Sequence, residues 1–422
     1  MFRTIDDWFF HIKQIHQKRM ELGLDRISQV ACRLALTQFN CPVITVAGTN
    51  GKGSCVKTLE AIYVAAGYRT ALYTSPHLLE FHERIRIANQ NVDDAALIRA
   101  FSAIEAARQD VILSFFEFIT LAALFLFQGA VCDVIILEVG LGGRLDAVNI
   151  VESDVTVVTS IALDHMDWLG DTRELIGYEK ASIARAGKPL ICGEENPPIN
   201  VRETVLAKNA VLQQIGIDFN YHVDNTFHCF GKHFQYGQLP MPHLKPQNVA
   251  IAIAALETLQ NRLPVSEKNI ADGINHTLWP ARFEMIETPL SCVFDVAHNP
   301  HAAEWLKIQY QQLPRAKNTI GIVGMLKDKA ITETVHTLLS CVDTWFVCDL
   351  QAESEERGSD GKLIATYLQA QGVKNCYTFD SVDAAMLVLM QSHCQQECDR
   401  ALIFGSFYTV AAAKRWLSRT YS

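Results

Sequence analysis

Short apolar runs rich in β-branched residues alternate with helix-period segments along the sequence, and this alternation restricts the fold more than any other feature. Each run is bounded by Gly, Pro, Ser or Asp; the series begins at Val43–Ala47 and restarts at Cys292–Val296. Strands that alternate with helices pair in parallel and are covered by helices on both faces. The sequence therefore predicts an α/β protein with two units.

The predicted strands of the first series are Val43–Ala47, Thr70–Thr74, Val134–Val139, Val155–Ser160 and Leu190–Cys192. Those of the second are Cys292–Val296, Ile320–Val323, Trp345–Cys348 and Ala401–Phe404. Predicted helices include one that begins near Cys55 and one over Glu174–Ala186. Between the two series, Phe219–Gln238 predicts a small antiparallel sheet, and the Pro-containing stretch Glu287–Leu290 predicts a hinge.

These patterns predict two domains. Residues 1–287 are expected to form a P-loop-type doubly wound domain, and residues 291–422 a smaller Rossmann-like α/β domain. A cleft between two such domains favours ligand binding.

Charge and composition exclude several classes of protein. The 422 residues carry a formal charge of −9, which argues against broad capture of nucleic acid or anionic membrane. The longest apolar stretch, Phe115–Phe127, is interrupted by Glu117 and is shorter than the ~20 residues of a membrane-spanning helix. Twelve cysteines without a Cys-x-x-Cys pair fit reduced thiols, and the N-terminus lacks a secretory pattern. We expect a cytoplasmic protein without nucleic-acid or membrane partners.

A glycine-rich turn follows the first predicted strand. In Gly48–Ser54, three glycines surround Lys52, so backbone N–H groups, a helix N-terminus, an ammonium group and a hydroxyl are available to phosphate and its metal. The turn departs from Gly-x-x-x-x-Gly-Lys-[Ser/Thr], because Val46 occupies the first glycine position and Gly53 follows the lysine. The pattern predicts a nucleotide site, with glycines that serve only the turn as the alternative.

Polar residues follow three other predicted strands. Glu138 ends one buried strand, His165 follows the next in chain order, and Ser75 follows an earlier one. Carboxyl ends of parallel strands meet at one edge of a sheet, where such a group would hold Mg²⁺ between ATP and an acceptor oxygen. A hydrogen-bonded core role is the alternative for His165. Lys180, judged alone, is predicted to be a solvated helix lysine.

Taken together, the motifs resemble one family and occur in its order. They are Gly48–Ser54, Ser75–Leu78, Glu83–Ile85, Phe116–Phe118, Leu137–Asp146, Asp164–His165, Asp295–Pro300, Gly324–Lys329 and Gly405–Val410. The chain resembles the bacterial bifunctional dihydrofolate synthase/folylpolyglutamate synthase family of the Mur ligase superfamily. The resemblance covers nearly the whole chain and implies an ATP-binding first domain and a glutamate-ligase second domain.

The function implied by this resemblance is ATP-dependent addition of L-glutamate to dihydropteroate, which forms dihydrofolate, and to reduced folates, through an acyl phosphate. A monofunctional folylpolyglutamate synthase is the alternative. More distant alternatives are a Mur ligase that acts on a nucleotide sugar and a nucleotide-dependent switch without ligase chemistry. The expected partners are these small molecules, and a monomer is the family-like expectation.

The resemblance also implies site residues. The implied ATP contacts are Gly48, Thr49, Asn50, Gly51, Lys52, Gly53, Ser54, Asn248, Arg282, Asp295 and His298. The implied ligands of magnesium, expected as two ions, are Ser54, Ser75, Glu138, His165 and Lys180. The lysine is carbamylated in the family. The implied catalytic residues are Lys52, His165, Lys180 and Arg282.

The implied substrate contacts are Asp25, Arg26, Phe116 and Asp146, with the phenylalanine ring stacked on the pterin. One position departs from the family pattern, because Ala281 stands where the family has glycine before the arginine. If the backbone there requires a positive φ, Ala281 is strained and the placement of Arg282 is affected. For Asp295 and His298, a capped strand-to-helix turn is the alternative.

Overall fold

The computed structural model describes residues 4–15, 21–287, 290–351, 357–393 and 399–421. The chain divides into two compact units, Met1–Leu278 and Trp279–Ser422. Both units are α/β with parallel strands, as predicted. Thr288 and Pro289 of the predicted hinge lie outside the described residues. The domain limits of 1–287 and 291–422 stay a prediction.

The first unit is built on an eight-stranded sheet. Its strands are β1 Val43–Ala47, β2 Thr70–Tyr73, β3 Ile85–Ile87, β4 Gln90–Asn91, β5 Val134–Glu138, β6 Val155–Val158, β7 Pro189–Cys192 and β8 Val211–Gln214. Their order is β4-β3-β2-β5-β1-β6-β7-β8. The pairs from β2 to β8 are parallel, and β3 and β4 extend the edge as an antiparallel hairpin.

Helices cover this sheet. They are α1 Ile5–Ile15, α2 Asp25–Arg33, α3 Lys52–Ala65, α4 Asp94–Arg108, α5 Phe115–Gly129, α6 Met166–Leu169, α7 Arg173–Ala181, α8 Ile199–Ala207, α9 Pro246–Glu257 and α10 Glu267–His276. Short 3₁₀ helices lie at Phe81–Arg84 and Ala147–Ile150. One hydrophobic core packs α1, α2, α4 and α5 on one face, and a second core joins β6 and β7 to α7 and α8.

The sheet order fixes where the functional loops meet. β1 pairs in parallel with β5 on one side and with β6 on the other. β5 pairs in turn with β2. The loops that follow these four strands therefore leave the same carboxyl edge as neighbours, which is where open α/β sheets bind ligands.

The predicted antiparallel excursion is a three-stranded sheet. Its strands are β9 Phe219–Val223, β10 Phe227–Gly231 and β11 Gln235–Leu239, in the order β11-β10-β9. β9 and β10 pack against α9, a helix with nine consecutive buried residues from Asn248 to Leu256. The small sheet therefore covers the outer face of a helix whose first turn carries a predicted ATP contact.

The second unit has a six-stranded sheet. Its strands are β12 Glu284–Ile286, β13 Ser291–Phe294, β14 Asn318–Val323, β15 Thr344–Cys348, β16 Cys376–Phe379 and β17 Asp399–Phe404. Its helices are α11 Pro300–Gln312, α12 Ile331–Leu338, α13 Gly361–Ala370, α14 Val382–His393 and α15 Phe407–Tyr421, with a 3₁₀ turn at Leu339–Cys341. The order is β12-β13-β17-β14-β15-β16, parallel apart from the edge strand β12.

Two predicted helix bounds were wrong. α3 begins at Lys52 and not near Cys55, because the left-handed Gly51 is already its N-cap. α7 ends at Ala181, five residues before the predicted end at Ala186, and the chain turns before β7. The cysteines among the described residues are free thiols, and no helix among these residues is both long and apolar enough to cross a membrane.

Candidate active site

The turn between β1 and α3 requires its glycines. Gly48 and Gly51 have φ values of 150° and 89°. A Cβ at Gly48 would lie 1.9 Å from Thr159 Oγ1, and a Cβ at Gly51 would lie 2.4 Å from Asn248 Oδ1. Since both the backbone conformation and the space exclude a side chain, this turn brings bare backbone to the N-terminus of α3, where an anion is favoured.

Residues that follow β6 hold this turn in place. The Asn50 carbonyl oxygen accepts from Thr159 Oγ1 at 2.7 Å and from Ser160 Oγ at 2.9 Å. Ser160 Oγ in turn accepts from the Asn50 N–H at 2.9 Å. Thr49 Oγ1 accepts from the Ala162 N–H and donates to the Ala162 carbonyl, both at 3.1 Å. The two neighbouring strand ends are therefore joined into one support.

Lys52 and Ser54 lie in the first turn of α3. Lys52 Nζ donates to the Gly48 carbonyl oxygen at 2.9 Å, so the side chain folds back over the turn. Ser54 is buried, and its carbonyl oxygen accepts from Thr58 Oγ1 at 2.8 Å. The ammonium group of Lys52 is thus held beside the backbone that would contact phosphate, as the motif predicts.

Glu138 ends β5 next to this turn. Its side chain is 3% exposed, Thr74 Oγ1 donates to Oε2, and the Ser75 N–H donates to the same oxygen at 3.3 Å. A buried carboxylate requires hydrogen bonds or a cation to offset its desolvation. The structure therefore brings two predicted magnesium ligands, Glu138 and Ser75, into direct contact, because β2 and β5 are neighbours.

His165 lies in the loop between β6 and α7. It is half-buried, has a φ of 53° and immediately precedes α6. Its N–H donates to Asp164 Oδ1 at 2.9 Å. A left-handed backbone at a non-glycine residue is uncommon and marks a position that its surroundings fix.

Lys180 is buried near the end of α7, which overturns the solvated-lysine interpretation of its sequence context. Burial lowers its pKa to about 7, and the positive charge of Lys52 acts in the same direction. The carboxylates of Asp164 and Asp146 act in the opposite direction. Lys180 and Lys52 therefore influence each other electrostatically, and the chain places a weakly basic amine beside the phosphate turn.

Asp146 and Phe116 face the loop after β5. Asp146 is buried and accepts from the N–H groups of Leu141 at 2.8 Å and Val148 at 3.1 Å. Burial raises its pKa to about 6 against these hydrogen bonds. A Cβ at Gly140 would lie 2.5 Å from Phe116 Cζ, so the phenyl ring lies directly on that backbone. The two predicted substrate contacts thus adjoin one loop.

Arg26 is held by two carboxylates. Its guanidinium lies 3.0 Å from Glu21 Oε1 and 3.2 Å from Glu117 Oε1. Glu117 is buried and also accepts from the Ser114 N–H at 2.7 Å, which closes a capping box at the start of α5. Arg26 therefore joins α2 to the turn that carries Phe116. Asp25, its neighbour, is exposed.

In the second unit, the turn before β12 carries Arg282. Ala281 and Phe283 have φ values of 57° and 50°, so the expected strain at the alanine is present. The Ala281 N–H donates to Glu284 Oε2 at 2.8 Å, and Arg282 Cζ lies 5.3 Å from the centre of the Phe407 ring. Local contacts therefore determine the direction of Arg282 without a glycine.

Asp295 secures the same turn. It is half-buried and accepts from the N–H groups of Phe283 at 2.9 Å and Ala297 at 2.8 Å, while desolvation of the carboxylate raises its pKa. His298 donates from Nδ1 to the Val296 carbonyl at 2.8 Å. These bonds match the capped-turn alternative and at the same time bring Arg282, Asp295 and His298 to neighbouring positions.

The predicted magnesium ligands are mixed in type. Within the described ranges, no group of three or more His, Cys, Asp and Glu side chains is arranged to hold a metal. Mg²⁺ usually keeps several waters and binds through one or two carboxylates together with substrate phosphates. A buried Glu138 beside Ser75 fits an ion that arrives with a nucleotide better than a complete protein cage. The metal roles stay predictions.

Comparison with known proteins identifies the family of this chain. The dihydrofolate synthase/folylpolyglutamate synthase of Escherichia coli is 44% identical over 405 residues, which cover 96% of this chain and 93% of that protein. The chain belongs to the dihydrofolate synthase/folylpolyglutamate synthase family. A family model for the glutamate ligase domain of Mur ligases matches residues 281–407.

Solved structures of this family have the same fold. The Escherichia coli FolC structure in complex with DHPP and ADP has a TM-score of 0.94 and 42% identity, and covers 100% of this chain and 99% of that one. A bifunctional folylpolyglutamate synthase/dihydrofolate synthase with Mn, AMPPNP and L-glutamate bound has a TM-score of 0.91 and 40% identity, with 99% and 98% covered.

Sequence reasoning missed several residues that shape the site of this dihydrofolate synthase/folylpolyglutamate synthase family member. Thr159 and Ser160 support the phosphate turn through side-chain bonds to backbone that lies 109 and 110 residues away. Thr74 donates to Glu138 across 64 residues. The strand-end position of Thr74 and Thr159 was the available signal, because small hydroxyl residues at the carboxyl edge of parallel strands face the ligand loops.

Proposed function

We propose that this chain is an ATP-dependent ligase that adds L-glutamate to dihydropteroate, forming dihydrofolate, and to reduced folates, through an acyl-phosphate intermediate. The observation that carries the proposal is the phosphate turn together with two buried ionisable groups: Glu138 lies on the strand next to β1, and Lys180 is within electrostatic reach of Lys52. The Escherichia coli relative is named for both synthase activities. A monofunctional folylpolyglutamate synthase remains the alternative.

ATP would bind along Gly48–Ser54, where backbone N–H groups and the N-terminus of α3 face its phosphates. Lys52 would leave its contact with the Gly48 carbonyl and neutralise phosphate charge. By resemblance, Asn248, Arg282, Asp295 and His298 would complete the nucleotide contacts. Support comes from related structures that contain ADP or AMPPNP.

Magnesium would be held by Ser54, Ser75, Glu138, His165 and Lys180. When bound, the ions supply positive charge that offsets charge on the transferring phosphoryl group. We propose two ions, and a related structure contains Mn with AMPPNP. Carbamylation of Lys180, implied by the family resemblance, would convert a buried amine into an anionic oxygen donor, and its low pKa favours the neutral amine that reacts with carbon dioxide.

The acceptor would lie against Phe116 and Asp146, with Asp25 and Arg26 nearby in the chain's N-terminal segment. Phe116 offers an aromatic face for a planar ring. Asp146 offers oxygens already oriented by two backbone N–H groups, so its position does not depend on the substrate. Arg26 would act mainly through Glu117, which lies in the first turn of α5.

The reaction needs positioning and charge stabilisation, and no protein nucleophile. The acceptor carboxylate attacks the γ-phosphorus of ATP, so a new C–O–P bond forms as the bond to ADP breaks. The amine of L-glutamate then attacks the acyl carbon, phosphate leaves and a proton is lost from nitrogen. Lys52 and Arg282 would stabilise the negative charge that is shared during the first step.

The chain is proposed to act in the cytoplasm as a monomer, with small molecules as its partners. This part of the proposal rests on the family resemblance and on the expectations from composition. Size-exclusion chromatography with light scattering measures the molar mass in solution and tests whether the protein is a monomer.

The test supplies Mg-ATP and L-glutamate with either dihydropteroate or tetrahydrofolate and follows products by mass spectrometry. Glutamate addition to both acceptors is expected, and addition to tetrahydrofolate alone selects the monofunctional alternative. We expect Lys52→Ala to lower glutamate-dependent ADP formation roughly 100-fold. Lys268→Ala is the matched control, because Lys268 is 82% exposed on α10. Near-normal turnover by Lys52→Ala under saturating ATP contradicts the assignment.

A further inference from the structure

The residues Ala162–Thr172 connect β6 to α7 and carry His165; we refer to them as the His165 loop. Few apolar contacts anchor this loop. Leu169 is buried, whereas Leu163, Met166 and Trp168 are each nearly half exposed, at 47%, 48% and 45%. Loops with little buried apolar surface open locally at low free-energy cost. Some other feature must fix the position of His165.

That feature lies at the base of the loop. Ile161, the residue before the loop, donates its N–H to Glu194 Oε1 at 2.6 Å. Its carbonyl oxygen accepts from Nε of Arg173, the residue after the loop, at 3.0 Å. The same arginine donates to Glu194 Oε2 at 3.0 Å. Backbone, guanidinium and carboxylate thus form a closed ring that joins the two ends of the loop.

The sheet places Glu194 for this role. β7 pairs in parallel with β6, and the Gly193 N–H donates to the Val158 carbonyl at 2.8 Å. Glu194 therefore leaves the carboxyl edge beside the chain that leaves β6. Arg173 also donates to the carbonyl oxygen of Asn196, two residues after Glu194, at 3.3 Å. Both ends of the His165 loop are therefore bonded to the segment that follows β7, the strand next to β6.

The phosphate turn is tied to the same base. Thr49 Oγ1 exchanges two hydrogen bonds with the backbone of Ala162, the first loop residue. The ring around Ile161 therefore sets where the His165 loop begins relative to Thr49. If a residue at this base moved, His165 would move relative to the nucleotide. Small misplacements of reacting groups lower the reaction rate strongly.

We infer that Arg173 and Glu194 are positioning residues of the ligase reaction, whose ion pair closes the base of the His165 loop around Ile161 and fixes His165 beside the phosphate turn. The effect on the reaction rests on the proposed function, whereas the effect on the position of the loop rests on geometry alone. The pair is partly exposed, with side-chain exposures of 43% and 18%. Such pairs add little to global stability, so their loss should affect the loop and not the fold.

The experiment compares Arg173→Gln, Glu194→Ala and Glu194→Gln with the parent enzyme. Glu194→Gln keeps an oxygen that accepts from the Ile161 N–H but removes the charge, so this variant should retain part of the effect of the native side chain. Arg108→Gln is the matched control. Arg108 pairs with Glu105 at 2.7 Å and also bonds backbone carbonyls, but it lies at the end of α4.

Three measurements are made on the full-length chain. Hydrogen–deuterium exchange of amides 162–172 is recorded without nucleotide or metal. Mn²⁺ affinity in the presence of a non-hydrolysable ATP analogue is measured by electron paramagnetic resonance. Glutamate-dependent ADP formation gives kcat and KM. Arg173→Gln and Glu194→Ala should accelerate exchange, weaken Mn²⁺ binding about 10-fold and lower kcat about 10-fold. KM for L-glutamate should stay within about 2-fold, and thermal midpoints within about 4 °C.

Unchanged exchange and Mn²⁺ affinity in both variants, with an active parent enzyme, overturn the inference. An equal fall in Mn²⁺ affinity and kcat in all variants, including Arg108→Gln, also overturns the inference, because the effect is then not specific to the His165 loop. If the parent enzyme shows no glutamate-dependent ADP formation, the proposed function fails, whereas the exchange data still report on the loop. If Glu194→Ala does not fold, Arg173→Lys takes its place in the same measurements, because lysine keeps the charge but makes fewer hydrogen bonds.

Discussion

Two of the turns that adopt a left-handed backbone in this molecule do so with different residues. The phosphate turn of the first unit uses Gly48 and Gly51. The turn that carries Arg282 in the second unit uses Ala281 and Phe283, with φ values of 57° and 50°. Left-handed conformations cost roughly 1–2 kcal/mol for residues that have a Cβ. The first turn avoids this cost, and the second accepts it.

The difference shows that space, and not conformation alone, requires a glycine. A Cβ would lie 1.9 Å from Thr159 Oγ1 at Gly48 and 2.4 Å from Asn248 Oδ1 at Gly51. The methyl group of Ala281, in contrast, is fully buried without being excluded. Glu284 accepts from the Ala281 N–H, and Asp295 accepts from the Phe283 N–H. A left-handed turn can therefore contain alanine in place of glycine where the methyl group fits.

The largest expected effect is that of Gly51→Ala. The substitution adds left-handed strain and a clash with a buried helix residue, so we expect the free energy of unfolding to fall by about 2–5 kcal/mol. ATP binding should weaken as well, because Asn248 must move. Denaturant unfolding and nucleotide titration measure the two effects.

The double variant Gly51→Ala/Asn248→Ala separates the two causes. Compared with Asn248→Ala alone, the double variant should have a free energy of unfolding that is lower by about 1–2 kcal/mol, because only the left-handed strain remains. If the added cost of Gly51→Ala is the same with and without Asn248, space is not the reason for the glycine, and the distinction between the two turns fails.

The comparison extends to one ionisable group in each unit. Asp295 accepts two backbone N–H bonds, whereas Lys180 lies near the positive charge of Lys52 and has a pKa of about 7. A lysine with a lowered folded-state pKa destabilises the fold at neutral pH, because the unfolded chain binds the proton more tightly. Stability is regained as pH rises from the folded pKa toward the ordinary value near 10.5.

We therefore expect Lys180→Met to remove this pH dependence. Between pH 7 and pH 9, the free energy of unfolding of the parent enzyme should rise by about 2 kcal/mol relative to the variant, while the variant loses ligase activity. The measurement is denaturant unfolding in metal-free buffer depleted of carbon dioxide. Lys268→Met, on the surface of α10, should follow the parent enzyme. Parallel curves for the parent enzyme and Lys180→Met contradict the buried-amine interpretation.

Elements that depend on local patterns were predictable from the sequence. Buried parallel strands such as Val43–Ala47 are continuous apolar runs, so their bounds were found to within a few residues. The hairpin Ile85–Asn91 was missed, because its two strands have three and two residues and are partly exposed. The helix start at Lys52 was missed because Gly51 is a left-handed cap, a state that glycine spacing alone does not specify.

Contacts that depend on the tertiary fold were not predictable. The sequence did not reveal that Arg26 pairs with Glu21 and Glu117, and the second of these is 91 positions away. The substrate contact of Arg26 stays a prediction. Glu194 reaches Ile161 across 33 residues. Nothing in the local composition distinguishes such residues from solvated charges, because the information lies in the order of the strands.

The smallest expected effect is at Ala281, where the comparison of the two turns is sharpest. Ala281→Gly should relieve about 1–2 kcal/mol of strain, lose about 0.8 kcal/mol from the buried methyl group and lose about 0.4–1 kcal/mol through the more flexible unfolded chain. These contributions nearly cancel, so the free energy of unfolding should change by less than about 0.5 kcal/mol. Ala303→Gly is the matched control, because Ala303 is equally buried but lies inside α11, where glycine should cost about 1–2 kcal/mol. Equal losses for the two variants would mean that Ala281 is not strained, whereas a gain above about 1 kcal/mol would mean that its methyl group contributes nothing. A near-cancellation of this size would let the turn before β12 carry Arg282 with alanine, and not glycine, at position 281.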